Sequence, residues 1–210
     1  IHGTLSHTSH EIIVVDDNSQ DGTNELCTQL SRNMPLQLIE RKNKRGLATA
    51  VLEGFDQAKG EFIVCMDADH SHPHSLIPDF ISALESGSDF VLASRYVEGG
   101  EIAKDWGLVR YLNSRISTYL SRIFTSVKDP MSGFFALRRG DFEAQRQLYS
   151  PLGYKIGLEL LVKNRADAHE VPFKFRDRNH GESKLDMKQR VLFLRHVFRL
   201  IIFKISPQLS

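Results

Sequence analysis

Four apolar runs of strand length, EIIVV from Glu11, LQLIE from Leu36, EFIVCM from Glu61 and DFVLAS from Asp89, are separated by polar loops and segments of helical periodicity. Such alternation marks βαβ units, in which crossover helices cover both faces of a sheet. The fold it predicts is α/β and Rossmann-like, a mostly parallel sheet with helices on both faces. Strands are expected over Glu11–Val15, Leu36–Glu40, Glu61–Met66, Asp89–Ser94, Gly133–Leu137 and His169–Phe173. Helices are expected over Thr23–Arg32, Leu47–Lys59, His74–Glu85, Leu108–Phe124, Tyr154–Asn164 and Met187–Lys204.

At 210 residues the chain has room for one domain with a substantial core. A hydrophobic fraction of 41% with 25% charged residues excludes disorder. Net charge is +1, yet the stretch from Arg176 to Lys204 is basic while aspartates cluster in the first seventy residues. Cys27 and Cys65 both read as core residues, so neither a disulfide framework nor a zinc finger is expected, and a reducing compartment fits. No apolar run reaches the roughly 18 residues of a membrane span. The first residue is Ile1, and the sequence is expected to be a fragment.

In doubly wound sheets, ligands collect at the carboxyl ends of the strands. The first such loop, DDNSQDGT, follows a buried run with Asp16 and Asp17. Short polar side chains there suit either a helix cap, with Asp21 and Thr23 starting the next helix, or recognition of a nucleotide base or ribose. In RGLATA, Arg45 and Gly46 open a helix, where backbone N–H groups and the dipole favour an anion. In DADHSHP, Asp67 and Asp69 leave an apolar strand on one side, a pair of hard oxygen donors suited to Mg²⁺ or Mn²⁺ on a diphosphate. His70, His72 and His74 alternate in the same loop, but Pro73 breaks the run and His74 opens a helix, so zinc is disfavoured and the histidines receive no role.

The motifs VVDDNSQDGT, RGLATA, DADHSHP, SRY, DPMSGFFALRR and FRDRNHGESK, in this order from Glu11 to about Lys204, resemble polyprenol-phosphate (dolichol-phosphate) mannosyltransferases. Those enzymes belong to the inverting glycosyltransferase family 2, fold type A, and the chain looks like the bacterial form. The resemblance implies transfer of mannose from GDP-mannose to a polyprenyl or dolichyl monophosphate. It implies nucleotide-sugar contacts at Asp16, Asp17, Arg45, Gly46, Asp67, Arg178 and Lys184, and a Mg²⁺ or Mn²⁺ ion on Asp67 and Asp69. It further implies acceptor-phosphate contacts at Arg95, Arg110 and Ser114, and catalytic roles for Asp69, Arg95 and Asp129. Arg110 and Ser114, four apart, share a helix face and can grip one phosphate together. His70 stands where the family often has leucine, and Ser71 is a poorer metal ligand than the glutamine found in some relatives.

A lipid monophosphate with a second pKa near about 6 is already largely dianionic at neutral pH, so it needs no general base. A lipid acceptor implies a membrane surface as partner, and no nucleic acid. The helices around Leu112–Ile123 and Met187–Lys204 are basic and amphipathic, which suits the headgroup layer as well as ordinary core packing. The expected location is the cytoplasmic face of a membrane, peripheral or tethered by segments outside this sequence. The whole of 1–210 is expected to be one catalytic domain whose first strand is missing, with an interfacial helix over about 186–205. Two other readings stay open: a UDP-sugar polyprenyl-phosphate transferase for glucose or an aminosugar, and a non-catalytic nucleotide-binding or membrane-scaffold module.

Overall fold

The computed structural model describes residues 1–102, 108–150, 152–175 and 187–205, without the side chains of 108–113 and 187–190. All six expected strands form, as β1 (Ile12–Asp16), β2 (Leu36–Glu40), β3 (Phe62–Cys65), β4 (Phe90–Ser94), β5 (Phe135–Arg138) and β6 (Ala168–Pro172). The helices are α1 (Thr23–Leu30), α2 (Leu47–Gln57), α3 (Ile77–Glu85), α4 (Leu108–Ser121), α5 (Arg139–Ala144), α6 (Ile156–Lys163) and α7 (Met187–Ile205). Helix α2 stops two residues before the expected Lys59 because Ala58 turns extended and Glu11 Oε1 accepts the Lys59 and Gly60 amides at 2.6 and 3.1 Å. Helix α5 was not expected. Its Phe142 is buried edge-on against Phe55, with ring centroids 5.3 Å apart, and an Arg139–Glu143 pair braces its outer side.

Strands β1 and β2 pair in parallel, Ile12 opposite Leu36 through Asp16 opposite Glu40. The other four form a second sheet in the order β3-β5-β4-β6. There β4 and β6 are parallel and β5 runs antiparallel to both β3 and β4, so β3, β4 and β6 point the same way. The reversal of β5 has a consequence for the site. Its entry loop, 129–134, arrives at the same edge as the exit loops of β3 and β4.

Both faces of this sheet are buried, as crossover helices require. Phe90, Leu92, Phe135 and Leu137 face Ala48, Leu52 and Phe55 of α2, with Leu160 of α6. The alternate residues Val91, Ala93, Phe134 and Ala136 face Ile77, Phe80 and Leu84 of α3. The two sets differ by one position along each strand, the period of a pleated sheet.

Helix α7 packs on α6 through Leu200 and Phe203 against Leu158 and Val162, and Phe193 and Val197 meet Met131. Beneath it lie Glu159, Lys163 and His196, all buried. Lys163 Nζ donates to Glu159 Oε1 at 2.7 Å, while His196 Nε2 approaches Glu159 Oε2 at 3.5 Å without a hydrogen bond. Among the described residues, no helix is long and apolar enough to cross a membrane. Both cysteines are free, and burial pushes the thiols of Cys65 and Cys27 up from their ordinary range.

Candidate active site

Acidic and basic residues stand at or just past the ends of β1, β3 and β4. Asp16, the last residue of β1, is buried, and its two carboxylate oxygens accept the amide and hydroxyl of Ser19 at 2.7 and 2.6 Å. The helix-start reading of DDNSQDGT has a basis: Asp21 accepts the Thr23 hydroxyl and amide at the start of α1, which holds the Asp21 carboxyl below its ordinary pKa.

Asp17 turns the other way, toward α2. Its Oδ1 accepts from Arg41 Nε at 2.6 Å and its Oδ2 from the Gly46 amide at 2.9 Å. Arg41 was not singled out from the sequence, where Arg45 beside a glycine was the more obvious cation. Arg41 is only 3% exposed. It reaches Asp17, Thr49 Oγ1 at 2.9 Å and the Gly46 carbonyl at 3.3 Å, tying β2 to the start of α2. Gly46 has φ +128°, a conformation that side-chain-bearing residues avoid. Its amide is engaged by Asp17, and Arg45 is exposed beside it.

After β3 the chain makes a tight turn over Asp67–His72. Asp69 Oδ1 accepts both the amide and hydroxyl of Ser71, at 3.0 and 2.5 Å. His72 Nδ1 accepts the Asp67 amide at 2.9 Å. His70 sits between them with φ +63°, a left-handed conformation that costs a non-glycine residue roughly 1 kcal/mol. His74 faces elsewhere, its Nδ1 at 2.8 Å from Thr4 Oγ1. The histidines therefore do not converge as a zinc site. Asp67 and Asp69 remain as two half-buried carboxylates at a strand end, with Asp67 Oδ2 turned toward Gly133 and 4.0 Å from where a Cβ there would lie. Hard oxygen donors in such a pair fit Mg²⁺ or Mn²⁺, which keep several waters and take other ligands from phosphates. Among the described residues, no set of three His, Cys, Asp or Glu side chains comes together to hold a metal unaided.

At the end of β4, Arg95 meets the β5 entry loop. Asp129 is fully buried and accepts the Arg95 amide and Nε through Oδ2 at 3.0 and 2.7 Å, and Nη2 through Oδ1 at 2.8 Å. The guanidinium also lies 5.5 Å from the Tyr96 ring centroid and 5.7 Å from that of Phe175. Burial opposes its charge, but the Asp129 carboxylate outweighs this and raises the Arg95 pKa. Glu170 on β6 holds the turn, accepting the Lys128 and Asp129 amides at 2.7 and 3.0 Å. Tyr96 Oη lies 3.2 Å from Ser114 Oγ, which brings α4 to this corner. Arg110 is on α4 with its side chain outside the described residues, and Arg178 and Lys184 lie outside them altogether.

A sheet covered by helices on both faces, with Asp67 and Arg95 just past the ends of its same-facing strands β3 and β4, has the Rossmann-like architecture of the glycosyltransferase A type, and Asp16 ends β1 of the separate two-stranded sheet. Solved structures bear out that architecture. Glucosyl-3-phosphoglycerate synthase from Mycobacterium tuberculosis, in complex with uridine diphosphate, superposes with a TM-score of 0.65 at 18% identity, over 98% of this chain and 74% of that one. The same synthase with Mn²⁺, UDP-glucose and phosphoglyceric acid gives 0.66 over 98% and 73%. Residues 4–145 match the family model described as glycosyl transferase family 2, and the chain belongs to that family. It is 42% identical over 206 residues to a dolichol-phosphate mannosyltransferase from Pyrococcus furiosus, covering 96% of this chain and 58% of the relative. Dolichol-phosphate mannosyltransferases from Mycosarcoma maydis and Saccharomyces cerevisiae are also 42% identical, over 92% of this chain and 67% and 75% of their own lengths. The chain thus spans little more than half of the Pyrococcus relative.

Proposed function

We propose that this domain transfers mannose from GDP-mannose to a dolichyl or other polyprenyl monophosphate, with inversion at the anomeric carbon. The observation that supports this best is the 42% identity to three dolichol-phosphate mannosyltransferases, sustained over at least 92% of the chain. In this reading Asp67 and Asp69 hold Mg²⁺ or Mn²⁺. When bound, the ion neutralises charge that builds on the departing diphosphate. Asp16, Asp17, Arg45 and Gly46 would border the nucleotide, and Arg178 and Lys184, outside the described residues, are assigned to the diphosphate by the resemblance alone.

Arg95, Arg110 and Ser114 hold the acceptor phosphate. Asp129 acts by planting the Arg95 guanidinium, because its contacts to Nε and Nη2 fix the plane of the fork at the β4 end. An acceptor phosphate oxygen forms the new bond to the anomeric carbon as the bond from that carbon to the diphosphate breaks and GDP leaves. No proton moves in this step, so the residues contribute positioning and charge control rather than a base.

The exposed apolar residues support a membrane surface as the place of work. Helix α7 is apolar on both sides: Phe193, Val197 and Leu200 face inward, while Leu194, Phe198 and Ile205 are 58%, 63% and 76% exposed. Ile116 and Tyr119 on α4 and Ile123 just after it are also exposed, and Lys204 Nζ donates to the Ile123 carbonyl at 3.2 Å, bringing the two faces together. Exposed Arg115, Arg122, Arg195 and Arg199 accompany them, the composition that anionic headgroups favour. These features support a lipid surface as partner, and in the proposed reading that surface is the cytoplasmic face of a membrane.

The deciding experiment incubates the purified domain with short-chain polyprenyl phosphate, Mn²⁺ and either GDP-[¹⁴C]mannose or UDP-[¹⁴C]glucose. Labelled lipid from GDP-mannose alone is the expected result. Transfer from UDP-glucose alone overturns the donor assignment, and GDP-mannose binding without turnover makes the domain a non-catalytic module. Sedimentation with phosphatidylglycerol vesicles, lost in Leu194→Asp/Phe198→Asp, is expected for the surface, and unchanged sedimentation of that variant refutes it.

A further inference from the structure

We infer that His72 is a positioning residue that sets the conformation of the Asp67–Asp69 turn, and through it the affinity of that turn for a divalent cation. The inference rests on the reading of Asp67 and Asp69 as cation ligands. Pairing between β3 and β5 ends at Cys65 opposite Phe135, so the Asp67 amide lies beyond the ladder. A backbone donor leaving a sheet needs another acceptor. It finds one in His72 Nδ1 at 2.9 Å.

That bond closes a loop of six residues, and the Ser71 contacts to Asp69 Oδ1 are nested within it. The loop contains His70 in its left-handed conformation, which a lone turn of L-residues does not adopt at no cost. His72 itself is held on several sides. It is 6% exposed, stacks on Phe134 with centroids 5.1 Å apart and planes 15° apart, and meets Phe173 edge-on at 6.2 Å. A Cβ on Gly133 would lie 3.6 Å from its Cε1. Phe134 belongs to the core against α3, so the ring transmits the rigidity of that core to the turn bearing both carboxylates. Accepting from an amide requires an unprotonated Nδ1, which places the ring proton on Nε2.

Two substitutions separate this role from simple core packing. His72→Phe keeps an aromatic ring for Phe134 and Phe173 but has no acceptor. His72→Asn keeps an acceptor oxygen two bonds from Cβ, where Nδ1 stood, but loses the ring. Mn²⁺ binding is titrated by electron paramagnetic resonance with GDP present, alongside thermal melting. Positioning groups behind metal ligands typically change affinity 10–100-fold. His72→Phe is expected to weaken Mn²⁺ by about tenfold or more, whereas His72→Asn stays within about threefold of the parent despite a lower Tm. The reverse order, with Phe binding as the parent does and Asn failing, overturns the inference.

Asp69→Ala separates the two levels of the argument. If Mn²⁺ binds that variant unchanged, the cation reading falls and this inference with it. If Asp69→Ala loses Mn²⁺ while His72→Phe does not, only the inference falls. Should either His72 variant fail to fold, the parent protein still decides the matter. A scalar coupling across the hydrogen bond between the Asp67 amide nitrogen and His72 Nδ1 is expected by NMR, and its absence refutes the assignment.

Discussion

Asp129→Ala tests whether the buried pair with Arg95 organises the β4 corner. Asp129 is fully buried, Arg95 has a side chain only 10% exposed, and three donors from Arg95 converge on the one carboxylate. Hydrogen bonds to charged groups contribute roughly 1.5–3 kcal/mol each. Their full sum is not expected, because the freed guanidinium can turn toward solvent and keeps its contacts to Tyr96 and Phe175. What remains is the cost of a mostly buried cation that has lost its buried carboxylate, about 3–5 kcal/mol. The turn itself should survive, since Glu170 holds the Lys128 and Asp129 amides independently. At a urea m-value of roughly 2–3 kcal/mol per molar, the unfolding midpoint should fall by about 1–2 M. Arg95→Met should cost a similar amount for the opposite charge, and the Arg95→Met/Asp129→Leu double variant should be more stable than either single change. Additivity of the two within about 0.5 kcal/mol, or single losses below about 1 kcal/mol, would show that the pair is not coupled and that the reasoning is wrong.

Gly46→Ala should destabilise by about 1–2 kcal/mol, because φ +128° strains any side-chain-bearing residue; urea denaturation measures it, and a neutral effect would mean the turn relaxes freely. Arg41→Met should cost about 2–4 kcal/mol and, on the proposal that Asp17 borders the nucleotide, weaken GDP binding measured by calorimetry, since Asp17 loses its Arg41 partner; GDP affinity equal to the parent's would detach Asp17 from the nucleotide. His196 titrates under α7 facing Glu159 and Lys163 from α6 and Arg199 from its own helix. Burial, the larger cause, lowers its pKa from 6.5 despite the attraction of Glu159. The unfolded chain therefore binds the proton first, so stability is full above pH 6.5, falls as pH drops below it, and levels off beneath the depressed folded value. His196→Leu should flatten that acid limb in melts between pH 7.5 and 5, and an unchanged slope would place the titration elsewhere.

The order of elements was readable because each apolar run has strand length and ends in a polar loop, a local signal. Where a strand sits and which way it runs is not local. GFFALRR reads as strand in isolation, but its place between β3 and β4, antiparallel to both, is set by tertiary pairing, and that place brings Asp129 to Arg95. The same limit explains the other omissions. Glu159 and Lys163, four apart on a helix, read as a surface ion pair until α7 covers them. Arg41 looks like one more cation in RKNKRG until β2 ends beneath α2 and encloses its guanidinium. In VCMDADHSHPHS the carboxylates were visible by spacing, since two residues apart on an extended chain share a side. The histidines have that spacing too, yet the turn at His70 breaks it, with His72 accepting the Asp67 amide and His74 meeting Thr4. A periodic pattern therefore fixes which side chains share a side only while the backbone stays extended, and here β3 ends at Cys65 and the chain turns over Asp67–His72.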